Sequence, residues 1–102
     1  MTKPRRTFSS EFKLEAASLV LDHGYSIPEA SRAVDVGTTA LRRWVAQLQQ
    51  ERSGATPATK ALTPEQKRIQ ELEARIDRLE REKNILKKAT ALLMAEDHVH
   101  MR

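Results

Sequence analysis

The stretch SIPEASRAVDVGTTALRRWV, residues 26–45, decides the fold of this chain. Ser26 offers a hydroxyl to cap a helix, Glu29 three residues on can reach back to complete a capping box, and Pro28 is tolerated in the first turn. The helix so started is short, with Ile27, Ala30, Ala33 and Val34 set inward. Asp35, Val36 and Gly37 then form a tight turn. A further helix begins near Thr38 and carries Leu41, Trp44, Val45 and Leu48 at i, i+3, i+4 and i+7. Two helices joined by so short a turn are the pattern of a helix-turn-helix unit.

Upstream, Ser9 and Ser10 offer an N-cap to a helix with Phe12, Ala16, Leu19 and Val20 at helical spacing, and Gly24 supplies its stop. Residues 1–52 therefore read as a three-helix bundle, which small Ala30 and Ala33 let close tightly and bulky Trp44 locks. In such a unit the second helix of the pair enters the major groove by its N-terminal residues. Those residues are Thr38, Thr39, Arg42 and Arg43, on the side away from Leu41, Trp44 and Leu48. Arginine suits guanine O6 and N7 and suits phosphate, so base and phosphate contacts stay undivided between Arg42 and Arg43. Lys3, Arg5 and Arg6 suit a basic arm that enters a minor groove, or equally a solvated start. The bland alternative is a small helical bundle with two surface arginines.

Downstream the texture changes. SGATPATKAL, residues 53–62, has no periodicity and reads as a flexible linker. Thr63, Pro64 and Gln66 then start a helix by capping box, and a heptad frame follows. Leu62, Ile69, Ile76, Lys83 and Thr90 take its a positions, and Leu72, Leu79, Leu86 and Leu93 its d positions. Isoleucine at a with leucine at d favours two parallel strands, and Lys83 penalises wrong registers. The interchain pairs this frame predicts are Arg68 with Glu73, Arg75 with Glu80, and Glu82 with Lys87, all attractive. The zipper spans 63–94, and 95–102 reads as a disordered tail. A single amphipathic helix folded back on the bundle is the alternative, but it needs a wider apolar stripe.

The expected fold class is thus all-α: a helix-turn-helix bundle, a linker and a long leucine-zipper helix. Composition agrees, with 31% charged and only 4% aromatic residues in 102. There is no cysteine, which excludes disulfides and thiolate metal sites, and no apolar run long enough for a membrane span or a signal peptide, so a cytoplasmic protein is expected. The formal net charge is +4, from 18 basic and 14 acidic residues. Up to Arg52 there are 8 basic and 6 acidic residues, so placement and not excess points to a polyanion. Catalysis is not expected, since no phosphate loop and no set of catalytic side chains is present. His98 and His100 lack further metal ligands, and no cofactor is expected.

With these residues in place, the chain resembles the small first-frame protein, OrfA, of insertion sequences of the IS-three type, in the subgroup related to insertion sequence nine-one-one. The resemblance covers nearly the whole chain and rests on LRRWV (41–45), LTPEQ (62–66) and NILKKATALLM (84–94), in that order around a TP-containing linker. It implies a nucleoid-associated protein of transposition that binds terminal inverted repeats as a homodimer. It also implies a longer, frameshifted transposase that carries the catalytic acidic triad and could form mixed dimers with this chain. One departure is visible: the family's turn usually has Gly where Asp35 stands and a capping Ser where Gly37 stands. Asp tolerates the left-handed conformation and Gly can cap, so the turn is expected to survive. A cellular helix-turn-helix repressor and a coiled-coil adaptor are the alternative functions. An overlapping downstream frame would favour transposition, and DNA affinity that falls steeply with salt would exclude an adaptor.

Overall fold

The computed structural model describes residues 6–100, the last four by backbone only. Four helices follow one another: α1 (Ser10–Leu21), α2 (Ile27–Val34), α3 (Thr38–Arg52) and α4 (Pro64–His100). No strand occurs among the described residues. The chain divides into two units, one ending at Gln70 and one beginning at Glu71.

In the first unit α3 packs against both α1 and α2. Its core joins Ala16 and Ala17 of α1, Ala30 of α2, Val36 of the turn and Leu41, Trp44 and Leu48 of α3. Phe8, Phe12 and Trp44 form an aromatic cluster, with Phe8 stacked on Phe12 at 5.2 Å and edge-on to Trp44 at 5.2 Å between ring centroids. Ala30 meets the expected close crossing. Ala33 does not: it is exposed, because Ile27, Ala30 and Val34 already occupy the inward line of this eight-residue helix. Ser9 caps α1 by accepting from Phe12 N at 3.1 Å, and Ser10 is buried in the first turn. The Ser26 box closes on Glu29 N at 3.2 Å, while the Glu29 carboxylate accepts from the Ser26 hydroxyl and not from its backbone.

The expected flexible linker is the main correction. Four side chains stitch it to the helices beside it. Gln47 Nε2 donates to Lys60 O at 3.0 Å. Gln70 Nε2 donates to Thr59 O at 2.7 Å and Pro57 O at 3.1 Å, and Gln70 Oε1 accepts from Ala61 N at 2.9 Å. Gln66 Oε1 accepts from the Thr56 hydroxyl at 2.8 Å. Glu51, only 3% exposed, accepts from Leu62 N and Thr63 N at 2.9 Å each and from the Thr63 hydroxyl at 2.9 Å. Buried backbone N–H groups need partners, and here side chains supply them. The expected box at Thr63 is therefore half formed: Gln66 N reaches Thr63 Oγ1 at 3.3 Å, but Glu51 takes the Thr63 N–H.

Leu62 is corrected with it. Far from opening a dimer seam, it is 2% exposed in the core of its own unit and precedes α4. Two ion pairs fasten the same unit: Arg52 grips Asp22 through two bonds of 2.7 Å, and Lys67 Nζ meets Glu11 Oε1 at 2.8 Å. Each pair holds its carboxyl below the ordinary range, chiefly by the side-chain hydrogen bond.

In the second unit α4 continues as helix through the residues expected to be a disordered tail, as far as His100; Met101 and Arg102 lie outside the described residues. Leu72, Ile76, Leu79, Leu86 and Leu93 are exposed. Arg81 pairs with Asp77 at 3.4 Å across one turn, at the f and b positions of the heptad frame. On the a and d stripe, Ile76, Leu79, Leu86 and Leu93 are each more than half exposed. No described helix is long and apolar enough to cross a membrane.

Candidate nucleic-acid interface

The site begins with the turn that aims α3. Asp35 ends α2 in the left-handed conformation, at φ 54° and ψ 54°, where Asp costs less than most residues. Ser31 holds the turn from both sides: its carbonyl accepts from Val36 N at 3.1 Å and its hydroxyl donates to Val36 O. Arg6 Nη1 adds a bond to Asp35 O at 2.6 Å. Val36 thereby enters the core and Gly37 caps α3 with φ −67° and ψ 148°. The two departures from the family's turn are thus accommodated as expected. Replacing Asp35 by Val should cost about 1–2 kcal/mol in a denaturant titration, because a β-branched residue cannot take the left-handed conformation cheaply, whereas Asp35→Gly should fall within about 0.5 kcal/mol of the parent.

From this turn α3 starts with an unusual electrostatic character for this chain. Helices α1, α2 and α4 each carry a glutamate in the first turn, at Glu11, Glu29 and Glu65; α3 has no acid there and no side-chain cap. Its first N–H groups and positive dipole end are left for an external acceptor. Thr38, Thr39, Arg42 and Arg43 are all exposed around this end, while Leu41, Trp44 and Leu48 bury the opposite face. Neither arginine forms an ion pair with a described residue. The structure therefore gathers the four expected reading residues on one exposed surface. It can donate hydrogen bonds and positive charge to a polyanion without breaking internal contacts.

Of the expected basic arm only Arg6 is described; Lys3 and Arg5 lie outside the described residues. Arg6 lies over the Phe8 ring at 4.8 Å and on the Asp35 carbonyl, so it braces the turn as well as presenting charge. Sequence reasoning missed Lys13, whose Nζ lies 5.9 Å from the Trp44 ring centroid at the flank of the same surface. Nothing in the helical periodicity of α1 marks it, since its position depends on where Trp44 packs. Of the dimer positions, Ile69, Leu72, Ile76, Leu79, Lys83, Leu86 and Leu93 are exposed along α4. No described group of His, Asp or Glu could hold a metal, and the side chains of His98 and His100 lie outside the described residues.

Comparison with known proteins gives the chain a family. Residues 2–77 match the family HTH_Tnp_1, described as transposase. The chain is 50% identical over 86 residues to InsN of insertion sequence element IS911A from Escherichia coli (strain K12), described as a transposase. That match covers 84% of this chain and 64% of the relative, so it spans less than two thirds of that protein. It is 46% identical over 84 residues to InsN of IS911B from the same organism, covering 82% of this chain and 96% of the relative. The 11 kDa protein of insertion element IS600 from Shigella sonnei is 30% identical over 97 residues, 94% of each chain. No solved structure matches. An exposed, acid-free helix start after a pinned turn lies inside the matched region, and the chain belongs to the helix-turn-helix transposase family.

Proposed function

We propose that this chain is a sequence-specific DNA-binding protein of transposition. It places the start of α3 in the major groove of the terminal inverted repeats of an insertion sequence. It dimerises in parallel through α4 and regulates a longer transposase, with which it forms mixed dimers. It acts at the nucleoid without cutting DNA and without a cofactor, and the catalytic acids belong to the longer product. The observation that carries this reading is the grouping of Thr38, Thr39, Arg42 and Arg43 on one exposed, acid-free helix end. The similarity to InsN of two insertion elements supports the link to transposition. The attractive e and g pairs at Arg75 and Glu80, and at Glu82 and Lys87, support a parallel homodimer.

The test is Arg43→Ala, measured by fluorescence anisotropy on a duplex carrying the element's terminal repeat at fixed salt. A lost charged contact to DNA is expected to weaken binding about 5- to 30-fold, corresponding to ~1–2 kcal/mol. The circular dichroism and sedimentation of the variant should match the parent. Unchanged affinity would remove Arg43 from the interface, and unchanged affinity for Arg42→Gln as well would remove α3 as the reading helix.

A further inference from the structure

Beside α3 lies an open groove lined by Arg6, Lys13, Arg43 and Ala40 over a floor of Phe8 and Trp44. Its three cations come from three segments of the chain: the N-terminal strap, the second turn of α1 and the first turns of α3. No carboxylate lines it. Glu11 is engaged with Lys67 at 2.8 Å, and Asp35 lies 3.8 Å from Arg6, leaving Lys13 and Arg43 as the groove cations without an ion pair to a described residue. Lys13 has no ion pair with a described residue, yet its ammonium is held near the Trp44 ring. A half-buried stem over an aromatic face limits the freedom of the charged end, so less entropy is lost when it binds an anion.

We infer that this groove seats one phosphate of the DNA backbone, gripped by Lys13 and Arg43, and that Arg42 is the arginine left to read base edges. The inference rests on the DNA-binding reading above and divides its labour. Arg43 borders the groove and Arg42 does not, although the two are neighbours in sequence. Consecutive residues on a helix point about 100° apart, so one side chain turns toward the backbone while the other turns into the major groove. Arg6 lines the groove too, but its guanidinium is bound to Asp35 O, so it contributes field more than contact. Thr7 also lines the groove, and a threonine hydroxyl is a neutral donor of the kind that accompanies phosphate contacts.

The distinction is measurable because phosphate contacts are blind to sequence and base contacts are not. Affinities of the full chain are measured over a range of salt on two duplexes, one with the terminal repeat and one scrambled. Lys13→Gln should weaken binding to both duplexes by a similar factor and reduce the salt slope by about 0.9. Lys13→Arg should restore both. Arg42→Gln should instead lower the ratio between the two duplexes tenfold or more. Because Lys13 and Arg43 share one phosphate, their double variant should lose less than the product of the single losses. A normal slope and affinity for Lys13→Gln, with Arg43→Ala weakened, would overturn the phosphate seat and leave the reading helix standing. A collapse of the specificity ratio with Lys13→Gln would overturn it too. Competition by inorganic phosphate beyond that of chloride at equal ionic strength would assign the groove to a free anion and overturn the DNA assignment. Wild-type binding by Lys13→Gln, Arg42→Gln and Arg43→Ala together would overturn the proposed function itself.

Discussion

Glu51→Ala should destabilise the first unit by about 3–5 kcal/mol. The Glu51 carboxylate accepts from Leu62 N, Thr63 N, the Thr63 hydroxyl and Gln47 Nε2, the last at 2.7 Å, and is 3% exposed. Truncation leaves two buried backbone N–H groups without a partner, at ~1–3 kcal/mol each, and removes charge-assisted bonds besides. A unit of this size has only ~4–10 kcal/mol of stability in total, so the loss takes a large share of it. The segment before α4 should come loose with it, since Glu51 holds the N–H of Leu62, whose side chain lies in the core. Urea titration of the full chain reads the loss, and protease cutting between residues 53 and 62 reads the release. Glu51→Gln keeps one acceptor and should cost less than half as much. A midpoint unchanged by Glu51→Ala would show that water serves these amides equally well.

Acid should act on the same bonds. Burial pushes the Glu51 carboxyl up, but the backbone donors of Thr63 and Leu62 and the side chains of Gln47 and Thr63 outweigh it and hold the group below its ordinary 4.5. A carboxyl depressed in the folded chain contributes stability that is complete above its unfolded pKa and lost as pH falls through the folded one. Glu11 and Asp22 shift in the same direction, through Lys67 and Arg52. The melting temperature should therefore be flat from pH 7 to about pH 5 and fall below 4.5, with a shallower fall in Glu51→Gln.

What could be read from the sequence was whatever repeats or caps. Ser26, Gly24, Gly37 and the Leu41, Trp44, Leu48 series placed the three short helices, and the exposed Thr38, Thr39, Arg42 and Arg43 followed from that periodicity. What could not be read was fixed by single long-range bonds. SGATPATKAL has the composition of a linker, and nothing in it foretells that Gln47, Glu51, Gln66 and Gln70 from both flanking helices will satisfy its backbone. The heptad frame failed at Leu62 for the same reason, because a repeat of seven continues on paper past the point where the helix begins. Lys13 was invisible because a cation beside an aromatic ring depends on tertiary packing and has no fixed spacing.

Replacing Leu72 and Leu79 together by Gln should convert the proposed dimer to monomers and nearly abolish tight binding to the terminal repeat. Leu72 is 39% and Leu79 53% exposed, and each lies a turn from an exposed isoleucine, Ile69 or Ile76. An exposed apolar row of this kind is the surface that the partner helix of the proposed zipper would cover. Four leucines leave the seam per dimer, at ~1.5–3 kcal/mol each, which is enough to raise the dissociation constant by several orders of magnitude. Two heads on one dimer engage two half-sites at high effective concentration, so losing the seam should weaken binding to the repeat by ~10²–10⁴-fold. Each separate head should bind a single half-site as before, because Thr38, Arg42 and the core around Trp44 belong to the first unit. Lys83 refines the test. A lysine at an a position weakens a correctly registered seam, so Lys83→Ile should tighten self-association and admit larger oligomers. Sedimentation equilibrium distinguishes the cases: monomers from the Gln pair and tighter assemblies from Lys83→Ile support the parallel zipper, and dimers that persist in the Gln pair place the interface elsewhere.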